Sequence, residues 1–593
     1  MSKIKFKPQL NTVFSLAMVV FLFLVFSLGF DFYYDLNDDV LIKDIVSGAY
    51  TGTPDAHSIQ MLYPLSLFIS LLYRLIPVLP WQGIFLCACH GACFFLIARR
   101  SLSFVEKEVN KIILLLTEMS LIMTLFLYEA VFVQYTVTAA LLAACACFLV
   151  FTSERKEDLK GFLKEQIIPF LLVVTAFNLR SEMLLLMSPF IAFTGIVKWS
   201  QEKSVFAKET VTKYVSLIGA ILLGIIFSLV IDALAYSGKD WKEFRDFFNA
   251  RTQVYDYTWY PEYEEAEEFY RNLGVTPAKV TLIDNYNFGL DESIDADMLW
   301  GIADYADTTN IKEPLSLRLK EAVVDYKWRT FHEQDAPYNF FVLAAYGMVI
   351  ALAIVFKDKS AIWKLPVLGI FQTVPWMYVI LAKRVPPRIS HPLYYMELII
   401  LGAWILSYCK QNKESALCEK DEKRYKGRNR SLTIAMVLLL AYSLIQLPGM
   451  WQKADAEAER RQEVNTVMRL FEEYADAHPQ NYYYMDVYST VDFSEKMFAN
   501  VDNSQKNFDI LGGWASGSPL QKDATIPYRD EAFSRAELLL QDNFYYVCEE
   551  GSDATYLEEF YSGHGIKVEP VEEEQISSRV ATLVVYEVLP DRK

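Results

Sequence analysis

Long apolar runs are the feature that most limits what this chain can fold into. Runs of about 17 to 25 apolar residues recur along it, and each is long enough to cross about 30 Å of hydrocarbon as a helix. The mean hydropathy of +0.17 is high for so acidic a chain. We therefore predict an α-helical polytopic membrane protein with about eleven spans. They are placed near residues 11–30, 81–98, 111–128, 132–151, 166–180, 183–198, 211–235, 338–356, 361–381, 392–409 and 431–448.

Basic residues at the ends of these runs predict the orientation. Under the positive-inside rule, Lys and Arg clusters mark the cytoplasmic ends of spans. With eleven spans, the main clusters fall on one side, which places the N-terminus in the cytoplasm and the C-terminus outside. They include Lys3, Lys5, Lys7, Arg99, Arg100, Arg155, Lys156, Lys198, Lys203, Lys357, Lys359, Lys410 and Lys413. If the apolar stretch 62–79 also crossed, Arg99 and Arg100 would face outward, so this stretch is predicted to lie at the outer interface.

The negative charge is concentrated in the predicted outer regions. The net charge of the chain is −17, with −15 in residues 451–593, −10 in residues 236–336 and −5 in residues 31–60. The remainder is basic. Nucleic acid needs clustered Lys and Arg, so an acidic exterior argues against it as a partner. Solubility of the outer regions is the simplest reading of this charge.

The chain is predicted to have two domains. Residues 1–450 form the transmembrane bundle, which includes an outer loop at 31–80 and a second outer loop at 236–336. The second loop far exceeds the usual connection length, which indicates a functional segment or a small folded insert. Residues 451–593 form an extracytoplasmic α/β domain.

Several elements are predicted within the terminal domain. A polar helix over 453–477 ends before His478-Pro479, and a short helix lies near 553–562. Strands are predicted at 482–488, 544–548 and 580–586, where β-branched and aromatic residues cluster. The Gly-rich loop 511–517 could close over a ligand, although such loops are more often plain turns.

Two adjacent carboxylates, Asp38 and Asp39, follow the first span. One reading is structural: Asn37 or Asp38 caps a helix, and Asp39 complements the positive end of the helix dipole. The other reading is chemical, because a fixed carboxylate can accept a proton from a hydroxyl group within hydrogen-bond reach. The two readings are compatible, since a capped acid is also held rigidly.

The segment around this pair resembles the first outer loop of the GT-C fold membrane glycosyltransferases. In that superfamily an acidic pair follows the first span. A turn with a small residue and Gly comes next, then a helix on the membrane and a second span with an Arg-rich end. The corresponding residues are Asp38-Asp39, Ser47-Gly48-Ala49-Tyr50, Tyr63-Pro64-Leu65 and Arg99-Arg100. The second acid is Asp rather than the commoner Glu, and only one Pro precedes Leu65.

The resemblance implies a chemistry for the outer face. Enzymes of this superfamily use sugars carried on polyprenyl phosphate or diphosphate, and the transfer would be inverting. The acceptor would be a cell-envelope glycan, a lipid or a protein. Asp38 would be the catalytic base, and Asp39 would position the acceptor or, in a metal-using variant, help to bind Mg²⁺ or Mn²⁺.

A basic loop between the ninth and tenth spans suits a phosphate leaving group. Arg384 and Arg388 are predicted phosphate ligands, with Lys383 and His391 as support. Basic residues on the outer side run against the positive-inside bias, so an interaction should hold them there. The alternative is charge pairing with the acidic outer loops.

Further polar and aromatic residues at the outer turns are predicted substrate contacts. They are Glu129, Tyr135, Arg180, Glu182, Tyr257 and Trp259. Arg180 and Glu182 could equally form an ion pair between helices. The aromatic residues near 257 could equally anchor at the membrane interface.

The remaining motifs limit the choice of function. No zinc spacing, H-E-x-x-H or nucleotide P-loop is present in the sequence. The leading hypothesis is a membrane glycosyltransferase. The alternatives are a transporter or a flippase for lipid-linked glycans, for which matched broken helices would be expected, and a non-catalytic envelope scaffold.

Overall fold

The N-terminal apolar runs form helices separated by a short outer segment. The computed structural model describes residues 6–309, 314–416, 422–499, 503–528, 533–552 and 554–590, so Lys3 and Lys5 lie outside the described residues. The first elements are α1 (Phe6–Gly29), β1 (Tyr33–Tyr34), α2 (Asn37–Ser47), α3 (Tyr63–Leu75) and α4 (Trp81–Phe104). Helix α3 has 13 residues. At about 20 Å it is too short to cross the hydrocarbon, as predicted for 62–79.

The middle of the bundle contains two short elements, Leu127–Val131 and Phe132–Val133, between its long helices. The elements are α5 (Glu108–Leu125), α6 (Leu127–Val131), β2 (Phe132–Val133), α7 (Tyr135–Thr152), α8 (Leu159–Glu165), α9 (Ile167–Leu179), α10 (Ser181–Ser200) and α11 (Lys208–Ala235). Strand β2 pairs in parallel with β1. The predicted span 132–151 therefore begins at Tyr135, because the three residues before it belong to the outer connection.

The long outer loop is a helical insert. Its helices are α12 (Lys239–Tyr257), α13 (Glu267–Leu273), α14 (Pro277–Asp284), α15 (Ala296–Thr309) and α16 (Leu315–Phe331). The bundle then resumes with α17 (Tyr338–Phe356), α18 (Ala361–Leu381), α19 (Pro387–Ala416) and α20 (Glu422–Ala477).

Helix α20 runs without interruption from the bundle into the terminal region. The predicted span 431–448 and the predicted polar helix 453–477 are parts of this one helix of 56 residues, and the predicted domain boundary falls inside it. Pro448 lies inside this helix, where it removes one backbone hydrogen bond without preventing the helix from continuing. Trp451 packs on Phe30 just beyond the proline, with 4.9 Å between ring centroids.

The number of apolar helices agrees in part with the predicted eleven spans. In the part of the chain that the structure describes, nine helices are long and apolar enough to cross a membrane. The pair α8 and α9, bent by 49°, makes a tenth if it counts as one span. Helix α5, the predicted span 111–128, is not among them, because its 18 residues include Glu108, Lys111 and Glu118.

The terminal region contains a five-stranded mixed sheet. Its elements are β3 (Tyr482–Met485), β4 (Phe508–Ile510), α21 (Pro519–Thr525), α22 (Arg535–Leu538), β5 (Phe544–Glu549), α23 (Thr555–Gly563), β6 (Val568–Ser577) and β7 (Thr582–Pro590). The strand order is β4-β3-β5-β7-β6. Strand β3 is parallel to β4 and β5, and β7 is antiparallel to β5 and β6. The three predicted strands are confirmed, whereas β4 is too short and β6 too rich in Glu to be predicted.

The two faces of this sheet are covered by different parts of the chain. Tyr483 and Val547 pack with Phe471 of α20 on one face. Tyr482 and Tyr484 share a hydrophobic core with the insert on the other. Side chains along a strand alternate between faces, which explains the division. The division of the chain into domains at residue 451 stays a prediction. The side of the molecule that carries this sheet is called the outer side below.

Candidate functional site

A cavity of about 1940 Å³ lies on the outer side, between the bundle, α2, the insert and the terminal sheet. The carboxyl ends of the parallel strands β3 and β4 open onto it through Met485 and Ile510. Open α/β sheets commonly bind ligands at this edge. Seven of the twelve predicted site residues line the cavity: Asp38, Tyr135, Arg180, Glu182, Tyr257, Arg384 and Arg388.

Asp38 lies in the first turn of α2 and faces the cavity. Leu36 occupies the position before the helix, with no side-chain capping bond, so the expectation that Asn37 or Asp38 caps the helix is wrong. The Nε1–H group of Trp514 donates a hydrogen bond of 2.8 Å to Asp38 Oδ1. Trp514 belongs to the Gly-rich loop 511–517, which therefore contacts the predicted catalytic base directly.

Asp39 has a different environment from its neighbour. Its side chain is fully buried and is not part of the cavity wall. Its Oδ1 accepts a hydrogen bond of 3.0 Å from the backbone N–H of Tyr135, one of the first amides of α7 that have no partner within the helix. Burial raises the pKa of Asp39 well above its ordinary value, and Asp35 and Asp38 add to that rise. Asp39 thus joins α2 to α7.

Arg384 and Arg388 bring guanidinium groups to the same cavity as Asp38. Arg384 forms an ion pair of 3.0 Å with Asp256 and lies 5.5 Å from the centre of the Tyr257 ring. Arg388 makes no hydrogen bond or ion pair with any residue that the structure describes. Charge pairing, the predicted alternative, thus applies to Arg384 and not to Arg388.

Lys383 and His391, the predicted supporting residues, do not line the cavity. His391 Nδ1 lies 2.6 Å from Glu129 Oε1, and Glu129 is only 4% exposed. Two of the predicted residues thus form a buried pair with each other. Trp259 also lies outside the cavity wall and is 64% exposed.

Arg180 occupies the turn between α9 and α10 and is held from three directions. It donates a hydrogen bond of 2.5 Å to Gln60 and forms an ion pair of 3.1 Å with Glu182. Its guanidinium also lies 5.5 Å from the centre of the Tyr135 ring. The predicted ion pair is present, and both of its members line the cavity.

Arg251 is a cavity residue that the sequence did not indicate. It lies on α12, and its Nε is buried with no hydrogen-bond partner in the described chain. Burial lowers its pKa, while Tyr286, Asp256 and Asp38 act in the opposite direction. Six arginines line the cavity with Asp38: Arg180, Arg245, Arg251, Arg384, Arg388 and Arg469. Arg251 lies among the aromatic residues of α12, and no motif around it in the sequence indicated a role in the site.

The cavity continues between two apolar helices. Leu185, Leu186 and Pro189 of α10 line it, as do Val374, Pro375 and Tyr378 of α18. Leu185, Val374 and Tyr378 are each more than half exposed, so this wall is open at its apolar side. The cavity is consequently amphipathic, with guanidinium groups at the outer ends of the helices and an apolar groove below them.

The loop that carries Trp514 packs closely against the insert. A Cβ atom at Gly512 would collide with the carbonyl oxygen of Tyr286, and one at Gly289 would collide with that of Leu511. Gly513 has a φ of 83°, a conformation that L side chains rarely adopt. The two backbones approach so closely that only glycine fits, which fixes the position of Trp514 over Asp38.

A second polar cluster lies in the cavity wall further along α2. Lys43 is paired with Asp44 and with Glu495, at 2.5 Å each. Lys506 is 2.9 Å from Asp44 and 2.7 Å from Glu495. These ion pairs join α2 to the terminal region, so the cavity wall is continuous across both parts of the chain.

The structure leaves the predicted Mg²⁺ or Mn²⁺ untested. Within the described ranges no group of three or more His, Cys, Asp or Glu side chains is arranged to hold a metal ion. Asp39 does not line the cavity, so only one carboxylate of the pair faces it. Use of a metal therefore stays a prediction.

No protein-family model, curated protein or solved structure matches this chain. The GT-C resemblance consequently rests on the residues quoted above and stays a prediction.

Proposed function

We propose that this chain is a membrane-embedded glycosyltransferase of GT-C type. It would move a sugar from a polyprenyl-phosphate-linked donor to a cell-envelope acceptor on the outer face. One observation carries the proposal: Asp38, Arg384 and Arg388 line a single cavity that continues into an apolar groove between α10 and α18. A lipid-linked phosphate has this combination of a charged head and an apolar chain.

The proposed donor site uses the two halves of the cavity separately. The polyprenyl chain lies along Leu185, Pro189 and Val374, where apolar contact is favourable. The phosphate lies at the guanidinium groups, which bind phosphate oxygens by charge-assisted hydrogen bonds. Arg388 and Arg251 have unused donors, and Arg384, which pairs with Asp256 through Nη1, keeps its other N–H groups for the phosphate.

In the proposed reaction, the acceptor hydroxyl oxygen attacks the anomeric carbon of the donor sugar. A bond forms from that oxygen to the anomeric carbon, and the bond from the anomeric carbon to the phosphate oxygen breaks. Asp38 takes the hydroxyl proton, and the polyprenyl phosphate leaves with the bonding electron pair. Attack from the face opposite the leaving group inverts the anomeric centre. The guanidinium groups stabilise the charge that develops on the phosphate.

Trp514 acts on Asp38 in this scheme as a positioning residue. Its N–H group occupies Oδ1, which leaves Oδ2 for the acceptor hydroxyl. This hydrogen bond also holds the Asp38 carboxylate in one orientation toward the cavity.

The test uses two neighbouring carboxylates in the full-length protein in nanodiscs. The donors are synthetic polyprenyl-phosphate and polyprenyl-diphosphate sugars, and a cell-envelope extract supplies acceptors. Asp38→Asn should abolish release of the polyprenyl phosphate while thermal unfolding stays unchanged. Asp39→Asn is the matched control and should keep activity, because an amide oxygen still accepts the Tyr135 N–H bond. Full activity of Asp38→Asn would defeat the proposal.

A binding measurement tests the phosphate ligands separately. Arg388→Gln should weaken binding of polyprenyl phosphate about 10- to 100-fold, the loss expected for one or two hydrogen bonds between charged groups. Lys383→Gln is the control, since Lys383 lies outside the cavity wall. Equal losses in both variants would show a general charge effect rather than a site.

A flippase for lipid-linked glycans is a second candidate. It is supported by the same open groove, where Pro189 and Pro375 each remove one backbone hydrogen bond within α10 and α18, although both helices continue past the proline. Movement of a fluorescent polyprenyl-phosphate sugar across sealed vesicles, unaffected by Asp38→Asn, would favour this candidate.

A further inference from the structure

Helix α16 of the insert has an apolar face without a covering element among the described residues. Leu317, Val324, Trp328 and Phe331 recur along one side of the helix, and they are 42%, 58%, 51% and 56% exposed. Ala322, on the opposite side, is 3% exposed. An apolar face of this kind is unfavourable in bulk water, so we expect another apolar surface to cover it.

The contacts of α16 place it beside the outer end of α18. The guanidinium of Arg318 donates a hydrogen bond of 3.1 Å to the carbonyl of Leu381, the last residue of α18. Tyr326 donates a hydrogen bond of 2.6 Å to the amide oxygen of Gln372, and its ring centroid is 6.2 Å from that of Trp376. The residue order shows that α16 runs antiparallel to the last turns of α18.

The other end of α16 is tied to the start of α17. The side-chain amide of Asn339 donates to the carbonyls of Arg329 and His332, at 3.0 and 2.7 Å. Arg329 also forms ion pairs with Asp325 and Asp335. Both ends of α16 are thus fixed at the outer ends of apolar helices. If α17 and α18 cross the bilayer, the exposed face of α16 lies at the level of the membrane surface.

The charge of α16 differs from that of the insert around it. Residues 236–336 carry a net charge of −10, yet α16 has four basic and two acidic side chains. Lys320 and Lys327 lie beside the apolar line and form no ion pair within the described structure. Interfacial helices combine large apolar residues with Lys and Arg, which attract anionic headgroups.

We propose that α16 is an interfacial helix whose exposed face lies in the outer leaflet of an anionic bilayer. Leu317, Val324, Trp328 and Phe331 contact acyl chains, and Lys320 and Lys327 extend to the headgroups. The lipid is favoured over a second copy of the chain because α16 is held against α18, an apolar helix whose Val374 and Tyr378 are exposed as well, and because Lys320 and Lys327 complement anionic headgroups. The insert is then anchored to the membrane beside the cavity.

The experiment measures the depth of α16 in the full-length protein in nanodiscs. A nitroxide is attached at Val324→Cys, and its collisions with oxygen and with a water-soluble nickel chelate are compared by electron paramagnetic resonance. Thr308→Cys, an exposed position on α15 in the same insert, is the control. Labelling of the parent protein corrects for its native cysteines. We expect oxygen to dominate at position 324 and nickel to dominate at position 308.

The lipid composition provides a second arm. The loss of nickel accessibility at position 324 should be larger with anionic than with zwitterionic lipid, and Lys320→Gln with Lys327→Gln should remove that difference. Nickel dominance at position 324 would overturn the proposal, as would low accessibility to both reagents, which indicates a protein partner or second copy. Leu317→Cys gives the same readout if Val324→Cys does not fold.

Discussion

The two neighbouring acids show how little residue type alone reveals about a role. Asp38 and Asp39 are adjacent and chemically identical, yet one lines the cavity and the other is fully buried. Successive residues of a helix point about 100° apart, so they meet different surroundings. A buried carboxylate without a cation is costly when ionised, which agrees with the raised pKa of Asp39 and with a structural role.

The bond from Trp514 to Asp38 gives a prediction at the residue scale. Trp514→Phe keeps an aromatic ring but removes the N–H donor, so kcat should fall about 10- to 100-fold with little change in KM. Steady-state kinetics would measure kcat and KM separately, and thermal unfolding would show whether Trp514→Phe is as stable as the parent.

A control separates this positioning role from a loss of stability. Trp259→Phe changes an exposed tryptophan outside the cavity wall and should leave kcat unchanged. A drop in unfolding temperature of Trp514→Phe that accounts for the fall in activity would assign Trp514 to packing alone.

At the scale of elements, the ion pairs between α2 and the terminal region stabilise the cavity wall. Lys43 and Lys506 each pair with both Asp44 and Glu495. The backbone adds to this junction, since the N–H of Tyr34 donates to the carbonyl of Glu495 and that of Met497 to the carbonyl of Phe32. The position of Asp38 therefore depends on contacts far from it in sequence.

These ion pairs predict a pH dependence of stability. Burial acts to raise the pKa of Glu495, but Lys43 and Lys506 outweigh it and lower the pKa from 4.5 to about 2. The unfolded chain thus binds the proton more tightly, so the contribution of Glu495 is present above about pH 4.5 and is lost as the pH falls toward 2. Glu495→Gln should lower the unfolding temperature at neutral pH, and the difference from the parent should shrink over that range.

Thermal unfolding in detergent would measure this difference at each pH. Glu573→Gln, an exposed glutamate of β6, is the control and should match the parent throughout. A difference for Glu495→Gln that persists unchanged at the acid end would contradict the assignment.

At the scale of the whole molecule, the insert and the terminal sheet depend on each other. Leu282, Phe288 and Leu299 of the insert share one hydrophobic core with Tyr482 and Tyr484 of the sheet. The bundle forms one side of the cavity, and the insert and the terminal sheet together form the opposite side.

This shared core gives a prediction for a truncated chain. Deletion of residues 478–593 should expose the apolar side of α14 and α15, so their amide hydrogens should lose protection from exchange. Helix α7, which is buried within the bundle, should keep its protection and shows whether the bundle is folded. Hydrogen–deuterium exchange with mass spectrometry would compare the two chains. Unchanged protection of α14 and α15 would show that the insert folds without the sheet.

Sequence patterns predicted those helices and strands that are set by residues a few positions apart. Hydropathy predicted the apolar helices, and β-branched and aromatic clusters predicted three of the five terminal strands. The pattern failed where local and tertiary preferences differ. The span predicted at 431–448 and the polar helix predicted at 453–477 form the single helix α20, and the Glu-rich β6 is a strand because β7 pairs with it.

The sequence by itself determined which segments are apolar helices and which acids and bases could do chemistry. Only the tertiary structure brought Asp38, Arg251, Arg384, Arg388 and Trp514 to one cavity and left Asp39, Lys383, His391, Glu129 and Trp259 out of its wall. The physical reason is that hydropathy and helix period act over a few turns. The meeting of side chains hundreds of residues apart is set by how whole helices and sheets pack together.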